Sequence, residues 1–335
     1  MRILHYTIGF EPVRTGGLVK YATDLIHQET DDGQEVSVLY PGTLNVFNRH
    51  TYIRFDGHHS QKKVRVYALI NSLPLPLRGG IHDPKFFMKP VDKSVYERFL
   101  KEHQFDIIHM HSLMGINLEF LEAAKELGIP IVYTTHDYFG LSSEPNLFLN
   151  GKSYDNQDDL NFWGLVSEQA PSVIRDVINQ LPFYTSLRHL GKIIFKAIHA
   201  NMDGNSVAQS KESKNQLSSQ RDFSQLKLLR EYYEDMFRLV AYFHFNSIIA
   251  ENVFWRNLPF KPNGGVDLIS SKEIVNTQIN IEKTVLKRHS VVAYVGPNAE
   301  YKGFKDFVQL SQDLQDSGLV FRTYGYTSAI HLKGI

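Results

Sequence analysis

Between Phe105 and Thr135 the chain reads strand, helix, strand without a break, and each strand runs into histidine. Phe105 to His109 (FDIIH) is a short apolar run that continues into HMHS. Asn117 to Leu127 (NLEFLEAAKEL) carries apolar residues at helical spacing, and Gly128 stands where a C-terminal glycine cap belongs. Ile129 to Thr135 (IPIVYTT) follows at once. Branched apolar runs this short, spaced by an amphipathic helix, mark parallel strands buried on both faces and joined by right-handed crossovers. The chain is therefore expected to be an α/β protein. In open α/β sheets ligands collect outside the carboxyl ends of the strands. At that end Thr134, Thr135, His136 and Asp137 put four polar groups in succession, with His111 after the neighbouring strand.

The N-terminus repeats the pattern. Arg2 to Thr7 predicts a strand, and GFEPVRTGG (Gly9 to Gly17) a loop. Leu18 to Gln28 predicts a helix with Leu18, Tyr21, Ala22, Leu25 and Ile26 on one face, and Glu35 to Tyr40 the next strand. Val64 to Ile70 reads as a strand and Val91 to His103 as a helix. Residues 165–235 are mostly helical in pattern, broken at Pro171, Pro182 and Gly204. Within them the polar stretch Ser206 to Gln225 reads as a loop, a solvated helix or a lid. Leu239 to Phe245 predicts a strand, and Asn246 to Arg256 a helix capped by Asn246 or Ser247, with a short strand at Val266 to Ile269. A second α/β unit follows: strand Ser290 to Val295, turn GPNAEYKGF, helix Phe304 to Ser317, strand Leu319 to Tyr324. These expectations place one domain at residues 1–280, with a mostly helical insertion at about 150–240. Residues 281–335 would begin a second, incomplete domain, since one β-α-β unit cannot bury a sheet by itself.

Lys plus Arg and Asp plus Glu both number 36, so no net field draws the chain to nucleic acid. Cysteine is absent, which excludes disulfides and thiolate chemistry. No charged leader precedes the first strand, and no apolar run approaches the roughly 20 residues that span a bilayer. The expected location is the cytoplasm, with peripheral contact at the inner face of a membrane left open. Phe183 to Lys196 (FYTSLRHLGKIIFK) fits either a membrane-surface helix or, better, a bundle helix.

Gly16 and Gly17 sit between a strand and a helix N-terminus, where backbone can approach a ligand and free N–H groups can face an anion. An ordinary turn has the same composition. The loop carries Arg14 and Thr15 and does not form G-x-G-x-x-G. His109, His111, His136 and Asp137 could gather around a metal, but a His-x-His pair at a strand end often turns only one ring to the cleft. A hydrogen-bonding or catalytic His136 is the stronger expectation, and no metal is predicted. Lys302, near a helix start in GPNAEYKGF, could grip phosphate or be a solvated turn lysine.

Taken in order, several segments resemble a GT-B fold glycosyltransferase of the family 4 type found in bacterial polysaccharide synthesis. They are RTGGLVKYATDLIHQ with EVSVLY, FDIIHMHS, IPIVYTTHDYFGL with its later NLF, EYYEDMFRLVAYFHFNSIIAENVF, and VVAYVGPNAEYKGFKDF. The resemblance runs to about residue 325, weakest from 150 to 225. It implies two Rossmann-like domains facing a cleft, a nucleotide-sugar donor, a glycan or lipid-linked acceptor, and retention of anomeric configuration. It implies that His136 hydrogen-bonds the donor sugar near the reacting carbon. Gly16, Gly17, Gly296 and Lys302 would hold the donor, Lys302 neutralising the departing diphosphate without a metal or other cofactor. Arg14, Thr15, His111, Asp137 and Asn246 would line the cleft on the acceptor side.

The chain departs from this family pattern at three points. Pro297 stands where the second-domain loop usually has Arg, Ser142 and Ser143 replace a common Cys-Pro, and the E-x7-E donor motif has no counterpart. The alternative reading is thus a non-catalytic GT-B-like accessory, binding glycan or a partner subunit. A nicotinamide-dependent oxidoreductase is disfavoured, because EVSVLY lacks the ribose-binding acid.

Overall fold

The computed structural model describes residues 1–45, 47–60, 63–77, 79–155, 160–178, 180, 223–269 and 290–325. The elements run β1 (Arg2–Tyr6), α1 (Gly17–Asp31), β2 (Glu35–Pro41), β3 (Tyr52–Phe55), β4 (Val64–Ile70), α2 (Ser94–His103), β5 (Ile107–Met110), α3 (Leu118–Glu126) and β6 (Ile131–Thr135). Then come β7 (Phe148–Leu149), β8 (Lys152–Ser153), α4 (Leu160–Gln169), α5 (Val173–Ile178), α6 (Phe223–Arg238), β9 (Tyr242–Phe245), α7 (Ile248–Asn257) and β10 (Gly264–Val266). The last are β11 (Val291–Val295), α8 (Phe304–Asp313) and β12 (Val320–Tyr324). Two compact units result, Met1–Leu147 with Tyr154–Ile274, and Phe148–Ser153 with Val275–Ile335.

The first unit is an eight-stranded sheet in the order β10-β9-β6-β5-β1-β2-β4-β3. Every neighbouring pair is parallel except the edge pair β3 and β4. The predicted α/β class with a parallel sheet is thus what the chain forms. The order has a reversal in it. From β1 the chain builds outward through β2 and β4, then returns to lay β5, β6, β9 and β10 on the other side of β1. The crevice outside the carboxyl ends of β1 and β5 is therefore the topological switch point, where such sheets bind ligands.

Alternation gives β1, β5, β6 and β9 two different faces. One carries Leu4, Tyr6, Ile108, Met110, Tyr133, Phe243 and Phe245, each no more than 1% exposed. Phe237 of α6 and Phe254 of α7 pack on it, with ring centroids of Phe237 5.6 Å from Tyr133 and 5.5 Å from Phe254. On the other face lies α1. Its Ile26 joins Val36, Val38, Val64 and Val66 of β2 and β4 in an apolar cluster, while over β1, β5, β6 and β9 it meets histidines.

Expected elements shift at their ends. The sequence pattern ran the strand before α7 back to Leu239, but α6 continues to Arg238 and the strand begins at Tyr242. Ser247, rather than Asn246, caps α7: its Oγ accepts from the Ala250 N–H at 3.1 Å. The short strand expected at Val266–Ile269 is Gly264–Val266, paired with β9. Phe183–Lys196 and most of Ser206–Gln225 lie outside the described residues.

In the second unit β11 and β12 pair in parallel from Val291↔Val320 to Val295↔Tyr324. α8 covers them through Phe307, whose ring lies 5.4 Å from Tyr294 and 5.6 Å from Phe321. β7 and β8 form a small antiparallel pair.

Candidate active site

The register of the parallel strands assembles the site. His5 of β1 is directly opposite His109 of β5, and Thr134 of β6 is opposite His244 of β9. Because side chains alternate, residues two apart share a face, so His111 joins His109 and Thr134. The expectation that His109-x-His111 would present only one ring is corrected here: both rings lie on the α1 face, stacked with centroids 4.3 Å apart. His136 follows β6 immediately and closes the group from above.

The rings are joined by hydrogen bonds. His5 Nε2 lies 2.6 Å from Glu29 Oε2 of α1, and His5 Nδ1 lies 3.0 Å from His111 Nε2. His111 Nδ1 lies 3.2 Å from His136 Nε2. Thr134 Oγ1 bridges a second set, 2.7 Å from His109 Nε2 and 3.0 Å from His244 Nδ1. Tyr21 of α1 lies over them, with its ring centroid 5.1 Å from that of His136. Thr7, two residues beyond His5, has a buried hydroxyl with no partner among the described residues.

Burial governs the charges. Removal from water pushes His109 and His111 well below the usual imidazole range, reinforced by the neighbouring rings. His136 is pushed down to about 4 by burial and by His244. These three rings are neutral at pH 7. Asp137 moves the other way: burial raises its carboxyl to about 6, against the pull of the Phe139 N–H, which it accepts at 3.0 Å. Two ionisable side chains adjacent in sequence are thus both held toward their neutral forms.

His5, His109 and His111 bring one ligand-capable nitrogen each within 4.8 Å of one another. A neutral imidazole whose other nitrogen is hydrogen-bonded is the usual form of a metal ligand, and all three rings have such a bond. Among the described residues of this unit these three could hold a metal, although the His5–His111 separation of 3.0 Å is itself that of a hydrogen bond.

Gly16 precedes α1 with φ 125°, a conformation that favours glycine, and no side chain caps the helix. A Cβ built on Gly16 or Gly17 would meet nothing within 4 Å, so the backbone there is open. The first N–H groups of a helix have no partner within it, and no side chain caps them here. Tyr21, one turn further along, ties this turn to His136. Arg14 and Thr15 sit in the preceding loop, Arg14 half-buried and Thr15 exposed. Asn246 follows β9, and its backbone N–H reaches Thr135 Oγ1 at 3.3 Å. Gly16, Gly17, His111, His136, Asp137 and Asn246 therefore all lie at the carboxyl end of the first unit's sheet or on α1 above it. Gly140, in the turn after Asp137, has φ 99°, and a Cβ would come within 2.8 Å of the Phe237 ring, so the turn is fixed against the apolar core.

Gly296 and Lys302 belong to the second unit. Gly296 follows β11 with φ 151°, and its N–H donates to the Tyr324 carbonyl at 2.9 Å. Lys302 ends a single 3-10 turn, Glu300–Lys302, exposed, with its ammonium 5.1 Å from the Tyr301 ring centroid.

His5, Glu29 and His244 were not among the residues selected from the sequence, and Tyr21 was read only as part of the apolar face of α1. Their signal was an alternation: LHY, IHMH, YTTH and FHF each place a polar residue at matching depth in an otherwise apolar strand.

Among the described residues no helix is long and apolar enough to cross a membrane. No curated protein matches this chain. Among solved structures it is similar to the trehalose-6-phosphate synthase OtsA, at 11% identity and TM-score 0.40, over 98% of this chain and 66% of that one. It is also similar to an alpha,alpha-trehalose 6-phosphate synthase from Burkholderia multivorans, at 11% identity and TM-score 0.39, over 97% and 64%. A third is the catalytic domain of starch synthase IV from Arabidopsis thaliana, at 13% identity and TM-score 0.35, over 98% and 69%. The chain thus spans about two thirds of the length of these proteins. Residues 15–166, which include Gly16, Gly17, Tyr21, Glu29, His109, His111, His136 and Asp137, match the model of Glycosyltransferase Family 4.

Proposed function

We propose that this chain belongs to a retaining glycosyltransferase that moves a sugar from a nucleotide-sugar to a glycan or lipid-linked acceptor in cell-surface polysaccharide synthesis. The observation that carries the reading is the family 4 match over residues 15–166, which coincides with the group around His136 at the sheet's switch point. In this reading the first unit is the acceptor-side domain, and the second unit begins the nucleotide-sugar domain of a GT-B arrangement. His136 bonds the donor sugar, and its low basicity keeps it uncharged beside the glycosidic centre. Arg14, Thr15, His111, Asp137 and Asn246 shape the first unit's side of the site. A departing nucleoside diphosphate accumulates negative charge, and each unit by itself carries groups suited to an anion without a metal: the first turn of α1 after Gly16 and Gly17 in the first, and the Gly296 turn with the Lys302 cation in the second. The proposed setting is the cytoplasm, with peripheral contact at the membrane's inner face when the acceptor is lipid-linked.

One observation favours a second reading. Pro297 follows Gly296, so the β11 loop offers neither a backbone donor nor a cationic side chain at that position. A non-catalytic accessory that binds glycan or a partner subunit would tolerate that loss.

Calorimetric titration with uridine and guanosine diphosphate sugars tests both. The transferase reading expects binding that weakens about tenfold in Lys302→Ala, by loss of one charge-assisted contact. Binding indifferent to Lys302→Ala sinks the donor-loop role. Absence of all nucleotide binding, with glycan binding retained, favours the accessory.

A further inference from the structure

The histidines beneath α1 form two hydrogen-bond chains, and each begins at an atom that can only accept. In the first, the Glu29 carboxylate lies 2.6 Å from His5 Nε2, so that nitrogen bears a proton. In a neutral ring His5 Nδ1 is then a lone pair, and His111 Nε2, 3.0 Å away, donates to it. That leaves His111 Nδ1 as a lone pair, and His136 Nε2 donates to it at 3.2 Å. What remains is His136 Nδ1, which has no hydrogen-bond partner among the described residues. In the second chain the Asp267 carbonyl accepts from His244 Nε2 at 2.9 Å. The Thr134 hydroxyl gives its only proton to His244 Nδ1, so it accepts from His109 Nε2. All five rings are thereby the Nε2–H tautomer.

We propose that Glu29 and His5, acting through His111, are positioning residues that hold His136 with Nε2 protonated and Nδ1 as a bare lone pair. The bare nitrogen accepts a hydrogen bond from a ligand hydroxyl and repels a phosphate oxygen, which has only lone pairs to offer. The identity of that hydroxyl as a sugar's rests on the transferase reading. The direction of the chain rests on the hydrogen-bond geometry with His5 as a neutral ring. A metal bound by His5, His109 and His111 would need a lone pair on all three inward nitrogens, whereas this chain puts a proton between His111 and His5.

The test is nitrogen-15 NMR of the whole chain labelled on histidine, which distinguishes protonated from bare ring nitrogens. In the wild type His136 is expected as a single Nε2–H tautomer. In Glu29→Leu the anchor is gone and the chain can reverse, so His136 is expected as a mixture. Glu29→Asp restores the single form. Uridine diphosphate glucose and guanosine diphosphate mannose are then titrated, with the free diphosphates as controls. A sugar nucleotide that shifts the Nδ1 signal, and binds about tenfold more weakly to Glu29→Leu while the free diphosphate is unaffected, supports the proposal. A wild-type His136 protonated on Nδ1, or a Glu29→Leu spectrum identical to wild type, overturns the relay whatever the chain binds. Stoichiometric zinc that occupies the inward nitrogens of His5, His109 and His111 overturns it in favour of a metal centre. The expected tautomers with no Nδ1 response to either sugar overturn the hydroxyl assignment, and with it the transferase reading but not the relay.

Discussion

The two faces of β1, β5, β6 and β9 are built from the same strands and differ by one residue of register. On one, Tyr133, Phe243, Phe237 and Phe254 interlock as rings at 5.5–5.9 Å. On the other, His5, His109, His111, Thr134 and His244 interlock through hydrogen bonds. The aromatic face is stabilised by area removed from water and tolerates any chemistry of similar shape. The histidine face gains less from burial, because its nitrogens exchange water for one another. What it gains is direction. A ring fixed by a partner on one nitrogen presents a defined group on the other.

The largest expected difference comes from truncating the aromatic face. Phe237→Ala removes a fully buried ring that touches Tyr133, Phe243 and Phe254. It is expected to lower unfolding stability by about 3–5 kcal/mol in urea at pH 7. A loss under about 1 kcal/mol would mean that this face is not the packing core.

Acid should act on the histidine face alone. His109, His111 and His136 have folded-state values below those of the unfolded chain, so the unfolded state binds more protons as pH falls below about 6.5. Their contribution is complete above that value and is lost on acidification. Asp137 has the opposite sign, since its value is raised to about 6 and its contribution is present at low pH and lost as pH rises through that value. From pH 7 to pH 5 His136 loses on the order of 2 kcal/mol and Asp137 returns on the order of 1. With His109 and His111 added, the urea midpoint is expected to fall steadily over this range. A midpoint that rises would show Asp137 to be the dominant group.

Thr134→Val keeps the volume of the side chain and removes the hydroxyl between His109 and His244. A loss of about 1–3 kcal/mol is expected, the penalty of two buried ring nitrogens without partners, with a pH dependence otherwise as in the wild type. A neutral outcome would indicate that water enters the face. Smallest of all is Tyr21→Phe, which retains the ring above His136 and should change stability by less than about 0.5 kcal/mol. Any effect on sugar-nucleotide affinity would then reveal a direct contact of the hydroxyl.

Much of the architecture was legible because short apolar strands and amphipathic helices announce themselves locally. Val64–Ile70 is a strand to the residue, and Gly16–Gly17 marks the start of α1. Edge strand β3 was not legible: YIRF is too short and too mixed to carry a period. Of the site, His136 and Asp137 were visible because polar residues crowd the end of β6. His5 and His244 were not, since a lone histidine in LHY or FHF has no local meaning. Their role depends on which strands become neighbours, and β1 and β5 are a hundred residues apart in the chain.

The sequence by itself determined the class of fold, because hydrophobic periodicity and turn residues act over a few residues at a time. It also determined where polar groups end the strands. Only the tertiary structure decided that five histidines share one face and that Glu29 anchors the first of them. Those contacts depend on strand order and register, which arise from packing the whole sheet.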